Sequence, residues 1–176
     1  MRIVAGAYRG RKLQAPRGTS VRPTSDRVRE ALFSILGDIS GLRVLDLFAG
    51  SGALAIEALS RGAASATLVE NDRTAIEAIR ANLAPLEHAN AQVERADALV
   101  WLGGRRGPFD LVFADPPYSS ARKLAEPLSQ KLSAALSPNA LIVSESDKRD
   151  PLMLAFPLED ERTYGHTRIA IHRASD

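Results

Sequence analysis

The sequence predicts a doubly wound α/β fold with a mostly parallel, seven-stranded sheet, and three features support this prediction. Short apolar segments alternate with amphipathic helical segments from residue 43 onward. The predicted strands are almost entirely apolar, which is typical of parallel strands buried on both faces. After Pro151 the pattern becomes β-like and ends in an alternating segment over 167–173. We therefore expect a C-terminal antiparallel hairpin at one edge of the sheet.

The elements follow one another in a simple order. Thr24 or Ser25 is placed to cap a first helix that continues to Gly37 and joins a Gly- and Arg-rich N-terminal extension to the sheet. Each later element is bounded by glycine, proline or a polar residue. The predicted strands are 43–48, 66–70, 91–95, 109–114 and 141–145, and the predicted helices between them are 53–61, 72–84 and 122–136.

Composition limits the possible classes of protein. The chain has 176 residues, no cysteine and three histidines, so disulfide scaffolds, thiol nucleophiles and cysteine-based zinc sites are excluded. The histidines are too far apart in sequence to indicate a metal site, and we expect none. No apolar run approaches the ~20 residues that span a bilayer, and the N-terminus lacks the apolar stretch of a secretory signal. We expect a cytoplasmic protein with one main domain.

The formal net charge of +2 conceals an uneven distribution. Residues 1–29 contain eight basic side chains and one acid, a local charge of +7, so the other 147 residues carry −5. Arginine supplies 19 of the 23 basic residues, which favours bidentate contacts with phosphate. A basic extension over 1–24 on a main domain over 25–176 therefore predicts a polyanionic partner, with a solvated basic tail as the alternative.

The first predicted strand runs into a turn rich in glycine. The sequence DLFAGSG over residues 46–52 contains Gly50 and Gly52, which permit a tight turn and a close approach of ligand to backbone. Gly50, Gly52 and Ala55 nearly match a dinucleotide-binding fingerprint, although glycines also occur here for packing alone.

Acidic residues follow the next two strands. Glu70 lies 18 residues after Gly52, where an acid can accept hydrogen bonds from both hydroxyls of a ribose. Asp72 is placed to cap the next helix. Asp97 is placed either to accept from an adenine amino group or to cap a helix. Together these strand ends indicate a ligand that contains adenosine.

The strongest functional signal is Asp115-Pro116-Pro117-Tyr118, at the end of the fourth predicted strand. The two prolines restrict the backbone, and neither presents an N–H. The Asp115 carboxylate and the Pro116 carbonyl can accept both hydrogens of an exocyclic aromatic amine and orient its lone pair toward an electrophile. Tyr118 offers a ring on which a base can stack.

These motifs resemble the Rossmann-like, class I S-adenosylmethionine-dependent methyltransferases that modify amino groups. The N-terminal segments RIVAGAYRGRKL (residues 2–13) and RPTSDRVREALFSIL (residues 22–36) narrow the resemblance to the RsmD-type guanine-N2 methyltransferases of small-subunit ribosomal RNA. One departure is Ser34, where the family pattern has Asn. The resemblance covers most of the chain, including residues 54–62 and 164–167.

The resemblance implies S-adenosylmethionine as cofactor and 16S ribosomal RNA, within a small subunit or an assembly intermediate, as partner. The implied enzyme is a monomer that uses no metal and binds no membrane. Its catalytic segment would be Asp115 to Tyr118. The implied cofactor-binding residues are Asp46, Phe48, Ala49, Gly50, Ser51, Gly52, Glu70, Asn71, Asp97, Ala98 and Thr24. The implied RNA-binding residues are Arg9, Arg11, Lys12, Arg22 and Arg27, and Arg22 and Arg27 could instead engage the cofactor.

Three other functions remain open from sequence. A DNA adenine-N6 methyltransferase would use the same chemistry at Asp115, although no separate domain for recognising duplex DNA is evident. A nicotinamide-dependent oxidoreductase would explain the glycines and Glu70 but leaves the two prolines without a role. A non-enzymatic RNA-binding assembly factor would explain the basic extension, yet it needs no acceptor for an amine.

Overall fold

The computed structural model describes residues 1–16, 25–104, 107–117 and 120–175. Its helices and strands alternate through most of the chain. In order they are α1 (Asp26–Leu36), β1 (Arg43–Leu47), α2 (Ala53–Ser60), β2 (Ser65–Glu70), α3 (Arg73–Leu83), β3 (Ala91–Arg95), α4 (Ala98–Leu102), β4 (Phe109–Ala114), α5 (Ala121–Ser133), β5 (Leu136–Asp147), β6 (Leu158–Tyr164) and β7 (Thr167–Arg173).

The strands form one seven-stranded sheet in the order β3-β2-β1-β4-β5-β7-β6. Strands β1 to β5 pair in parallel, whereas β7 runs antiparallel to both β5 and β6. The predicted mixed sheet with a C-terminal antiparallel hairpin is confirmed. Because the chain order reverses beside β1, the carboxyl ends of β1, β2 and β4 meet at the edge where ligands bind in such folds.

The largest departure from the predicted boundaries lies between the last helix and the fifth strand. The helix predicted over 122–136 ends at Ser133, and Leu136 instead begins β5, because it pairs with Phe109 of β4. The amide of Phe109 also donates to the carbonyl of Ala135 at 2.8 Å. Leucines at every fourth position made this stretch look helical, but pairing between strands determines its structure. The short helix α4 corresponds to the helix-cap alternative for Asp97, for which no bounds were predicted from sequence.

The sheet separates two apolar cores. On one face α1, α2 and α3 cover a core that includes the rings of Phe33 and Phe113, whose centroids lie 5.8 Å apart. On the other face α4 and α5 cover a core built around Trp101, Val112 and Leu128. Helix α1 begins as predicted, since the Ser25 hydroxyl accepts from the amide of Val28 at 3.3 Å; the alternative cap, Thr24, lies outside the described residues. Within the four described ranges, every helix is too short or too polar to cross a bilayer.

Residues 1–13 form an N-terminal hairpin that packs on the main domain. A bridge between Arg2 and Lys12 closes it, and Ile3 and Leu13 are buried in a small third core. The amides of Val4 and Ala5 donate to the buried carboxylate of Glu57 on α2, at 2.7 and 3.0 Å. The described part of the basic extension is therefore fixed to α2 by both apolar and polar contacts.

Candidate active site

The turn after β1, which we call the glycine loop (residues 48–52), lies at the ligand-binding edge. Phe48, Gly50 and Gly52 have positive φ values of 62°, 57° and 77°. The amide of Ala49 donates to the carbonyl of Val69 at 3.2 Å, and that of Gly52 donates to Ala49 at 2.7 Å. The first bond joins the loop to β2, and the second closes a turn within the loop. Helix α2 starts directly after this turn.

The two glycines of the loop serve different purposes. A side chain at Gly52 would place its Cβ 2.9 Å from Cδ2 of Leu68, so Gly52 is required for packing against β2. A Cβ on Gly50 would meet only the carbonyl oxygen of Phe48, at 4.0 Å, so this side of the loop is open. A bound ligand can therefore approach the backbone at Gly50.

Glu70, at the end of β2, holds the loop in place. Its Oε2 accepts from the amide of Gly50 at 2.8 Å, while its Oε1 accepts from the amides of Asn71 and Asp72 at 2.7 and 2.9 Å. The carboxylate thus links the first two strand ends. It lies where the sequence predicted a partner for ribose, and with three of its roughly four lone pairs engaged, the carboxylate retains room for one further donor.

The next two acids cap helices. Asp72 accepts from the amide of Ala75 at 2.9 Å at the start of α3, as predicted. Asp97 accepts from the amide of Val100 at 3.0 Å and caps α4, so the structure shows the helix-cap alternative for this exposed residue. The Ala98 side chain is buried in the core under α4. A contact between Asp97 and adenine stays a prediction.

The Asp-Pro-Pro segment begins directly after β4. The amide of Asp115 donates to the carbonyl of Leu47 at 3.5 Å, which ties this strand end to β1 beside the glycine loop. Asp115 is partly exposed, Pro116 is buried and Pro117 is exposed. The predicted stacking residue Tyr118 lies outside the described residues. Asp115 and Pro116 therefore lie at the same edge of the sheet as the glycine loop.

Four carboxyl groups at this edge, those of Asp46, Glu70, Asp115 and Glu145, lie near enough for their charges to interact. Asp46 is buried, and its Oδ2 accepts from the amide of Ala55 at 3.1 Å. Burial raises the pKa of Asp46 to about 7 against the lowering effect of that hydrogen bond, and the charge of Glu70 adds to the rise. Burial also raises the pKa of Asp115 well above its ordinary value, as do the charges of Glu145 and Asp46. A carboxylate in this setting is a stronger base than an exposed one.

Glu145 was not singled out by sequence reasoning. It lies in β5 and is buried, and the register that pairs Ala114 with Ser144 brings it beside Asp115. The sequence feature that could have identified Glu145 is its position at the end of the predicted strand 141–145. Only the observed pairing of β4 with β5 shows that this strand end faces Asp115.

The predicted RNA-binding residues that the structure describes are exposed. Arg9, Arg11 and Lys12 lie on the N-terminal hairpin, and Arg27 lies on α1. The Arg11 guanidinium packs over the ring of Tyr8, 5.8 Å from its centroid, and donates to the carbonyl of Pro85. Arg22 and Thr24 lie outside the described residues.

The fold is that of the Rossmann-like, class I methyltransferases. A family model described as conserved hypothetical protein 95 matches residues 1–173. Ribosomal RNA small subunit methyltransferase D from Escherichia coli is 44% identical over 155 residues, which are 86% of this chain and 77% of the relative. The chain belongs to the family of these RsmD proteins.

Two further comparisons cover nearly the whole chain. A protein of Bacillus subtilis named putative rRNA methyltransferase YlbH is 39% identical over 98% of both chains. The solved structure of a putative methyltransferase, yhhF from Escherichia coli, is 41% identical and superposes with a TM-score of 0.87, covering 99% of this chain and 98% of that one. The similarity includes the N-terminal hairpin as well as the sheet.

Proposed function

We propose that the protein transfers a methyl group from S-adenosylmethionine to the exocyclic N2 of a guanine in 16S ribosomal RNA. The observation that carries this proposal is the Asp115-Pro116 acceptor pair, which lies beside the glycine loop in a chain of the RsmD family. The guanine N2 target rests on the resemblance of the N-terminal segments. We expect a cytoplasmic monomer that acts on a small subunit or on an assembly intermediate.

The residues at the edge of the sheet fit this cofactor. The open side of Gly50 allows a ligand to contact the loop backbone, and the carboxylate of Glu70 lies next to it. Asp97 stands at the following strand end, within the region where the adenine would lie. When bound, the cofactor supplies a methyl group on a sulfonium, which is already an activated electrophile. The protein then has to orient the amine and exclude water.

Asp115 and Pro116 provide that orientation. The Asp115 carboxylate accepts one N–H of the amine and the Pro116 carbonyl accepts the other, so the nitrogen lone pair points away from both acceptors. After the nitrogen–carbon bond forms, the nitrogen loses a proton, and the Asp115 carboxylate is the adjacent base. Its raised pKa favours this proton transfer.

The exposed basic residues would hold the RNA. Arg9, Arg11 and Lys12 project from a hairpin that is anchored to the main domain, so they form a fixed basic surface. The target guanine has to leave its stack to reach Asp115. Neutralising these three residues together should lower RNA affinity and reduce the slope of log Kd against log salt by about 0.7 to 0.9 per lost phosphate contact.

Transfer of labelled methyl groups tests the proposal. Small subunits, free 16S RNA and duplex DNA are offered as substrates, and the modified nucleoside is identified by mass spectrometry. We expect N2-methylguanosine in the ribosomal RNA. Methylated adenine, or transfer to DNA alone, would overturn the proposal.

Two variants, one directly after β4 and one near its start, test whether Asp115 takes part in methyl transfer. Asp115→Asn should lower kcat by about 10²- to 10⁴-fold, because it removes the base and keeps only a neutral oxygen as acceptor, while S-adenosylhomocysteine still binds. The matched control is Asp110→Asn at the opposite end of β4, where Asp110 pairs with Arg43 at 3.2 Å and lies away from the site. The control should retain its activity.

A further inference from the structure

One buried carboxamide joins the N-terminal hairpin to the glycine loop. Asn82, near the end of α3, is 3% exposed. Its Nδ2 donates to the carbonyl of Gln14 at 3.0 Å and to the carbonyl of Ser51 at 2.9 Å, and its Oδ1 accepts from the amide of Gln14 at 2.7 Å. Both hydrogens and the oxygen of the side chain are therefore used to connect these two segments.

The two segments belong to different parts of the proposed function. Gln14 directly follows the hairpin, whose last bond runs from the amide of Leu13 to the carbonyl of Met1 at 3.0 Å. Ser51 is in the glycine loop, between two glycines with positive φ. The proposed RNA surface and the proposed cofactor site thus share Asn82 as a common contact.

The loop is held on several sides: the amide of Ala49 donates to the carbonyl of Val69, and the Ser51 hydroxyl contacts Sδ of Met1 at 3.9 Å. Glu70 accepts from the amide of Gly50 on one side, and Asn82 donates to the carbonyl of Ser51 on the other. Other polar contacts hold the hairpin to α2, where Glu57 accepts from the amides of Val4 and Ala5 and the carbonyl of Ser60 accepts from the amide of Ala7. Asn82, in contrast, bonds both the backbone of Gln14 and the backbone carbonyl of Ser51 in the glycine loop.

We propose that Asn82 is a positioning residue that couples RNA binding to cofactor binding. The inference rests on the proposed function. A cofactor that fixes the glycine loop also fixes the carbonyl of Ser51, and through Asn82 it fixes the end of the hairpin. RNA then binds a hairpin whose end at Gln14 is already fixed, and the two ligands bind with positive cooperativity. By linkage, RNA tightens cofactor binding by the same factor.

The test measures this coupling factor. The Kd for a 16S RNA fragment is determined with and without saturating S-adenosylhomocysteine, and the Kd for S-adenosylhomocysteine is determined with and without the RNA. For the wild-type protein we expect each ligand to tighten the other about 5- to 150-fold. Asn82→Ala should reduce the factor to near one. A purely structural role would lower Tm and weaken both affinities, yet leave the factor unchanged.

Asn90→Ala is the matched control. Its Nδ2 donates to the carbonyl of Ala64 at 2.9 Å, next to the start of β3, so the variant removes an asparagine–carbonyl bond away from the loop and the hairpin. We expect it to keep the full coupling factor. Asn82→Asp gives a second variant, since it keeps an acceptor for the amide of Gln14 but loses both donor bonds.

Hydrogen exchange of the wild-type protein tests the same idea without a substitution. S-adenosylhomocysteine should slow exchange of the Gln14 amide, which donates to Asn82. Unchanged exchange at Gln14, a wild-type factor of one, or a factor that survives Asn82→Ala would each overturn the coupling while leaving methyl transfer intact. Failure of the wild-type protein to bind either ligand would overturn both proposals.

Discussion

Replacing Asp46 with asparagine should stabilise the protein at neutral and alkaline pH. Asp46 is 2% exposed, and its pKa of about 7 lies well above its ordinary value of 3.8. The unfolded chain therefore releases this proton at lower pH than the folded protein. Between pH 4 and 7 the folded state binds more protons than the unfolded state, so the stability contributed by Asp46 falls as pH rises.

The size of the effect follows from the difference between the two pKa values. That difference corresponds to about 4 kcal/mol of folding stability. The protonated Asp46 contributes this stability below pH 4, and the contribution is lost above pH 7. Asparagine keeps an oxygen that can accept from the amide of Ala55 and has no charge to bury. The free energy of unfolding of Asp46→Asn minus that of the wild type should therefore rise by about 4 kcal/mol from pH 4 to pH 8.

Urea unfolding followed by circular dichroism at pH 4, 6 and 8 measures this gain. Asp110→Asn is a control of opposite sign. Burial alone would raise the pKa of Asp110, but its hydrogen bonds with Arg43 and Ser137 prevail and lower it. That variant should lose stability relative to the wild type as pH rises through the acidic range. Parallel pH profiles for the wild type and Asp46→Asn would refute the reasoning.

Three further predictions concern the site and its supports. Because the pKa of Asp115 is raised by burial and by the charges of Glu145 and Asp46, turnover should fall as pH drops through that raised value. Glu145→Gln should move this acidic limb to lower pH in methyl-transfer assays, and an unmoved limb would exclude its influence. Gly52→Ala should lower Tm by several degrees in calorimetry, since its Cβ would lie 2.9 Å from Leu68 at a positive φ; an unchanged Tm would show that the loop relaxes easily. Glu57→Gln should cost about 3 to 5 kcal/mol in urea unfolding, because the buried Glu57 carboxylate faces two cations, Arg61 at 2.8 Å and the fully buried Arg29 at 4.0 Å. A loss below 1 kcal/mol would argue against this network.

The candidate site could be predicted in part because several of its residues lie at strand ends. Gly50, Glu70 and Asp115 each follow a predicted strand, and parallel strands bring such ends to one edge of the sheet. Asp97 shows the limit of this argument, since the same position suits a ligand contact and a helix cap, and the structure shows the cap. The boundary between α5 and β5 was predicted wrongly because leucine spacing is a local signal, whereas the pairing of Leu136 with Phe109 is not.

The sequence by itself determined the alternation of strands and helices, the glycine loop, the Asp115-Pro116-Pro117 segment after the fourth strand and the basic N-terminal extension. These features depend on residue type and spacing within short segments. The tertiary structure decided that Glu145 lies beside Asp115 and that Asn82 connects Gln14 with Ser51. Such contacts join residues far apart in the chain, and the perturbed pKa values depend on burial and on charges brought together by folding. Local sequence patterns contain neither the long-range contacts nor the burial that perturbs these pKa values.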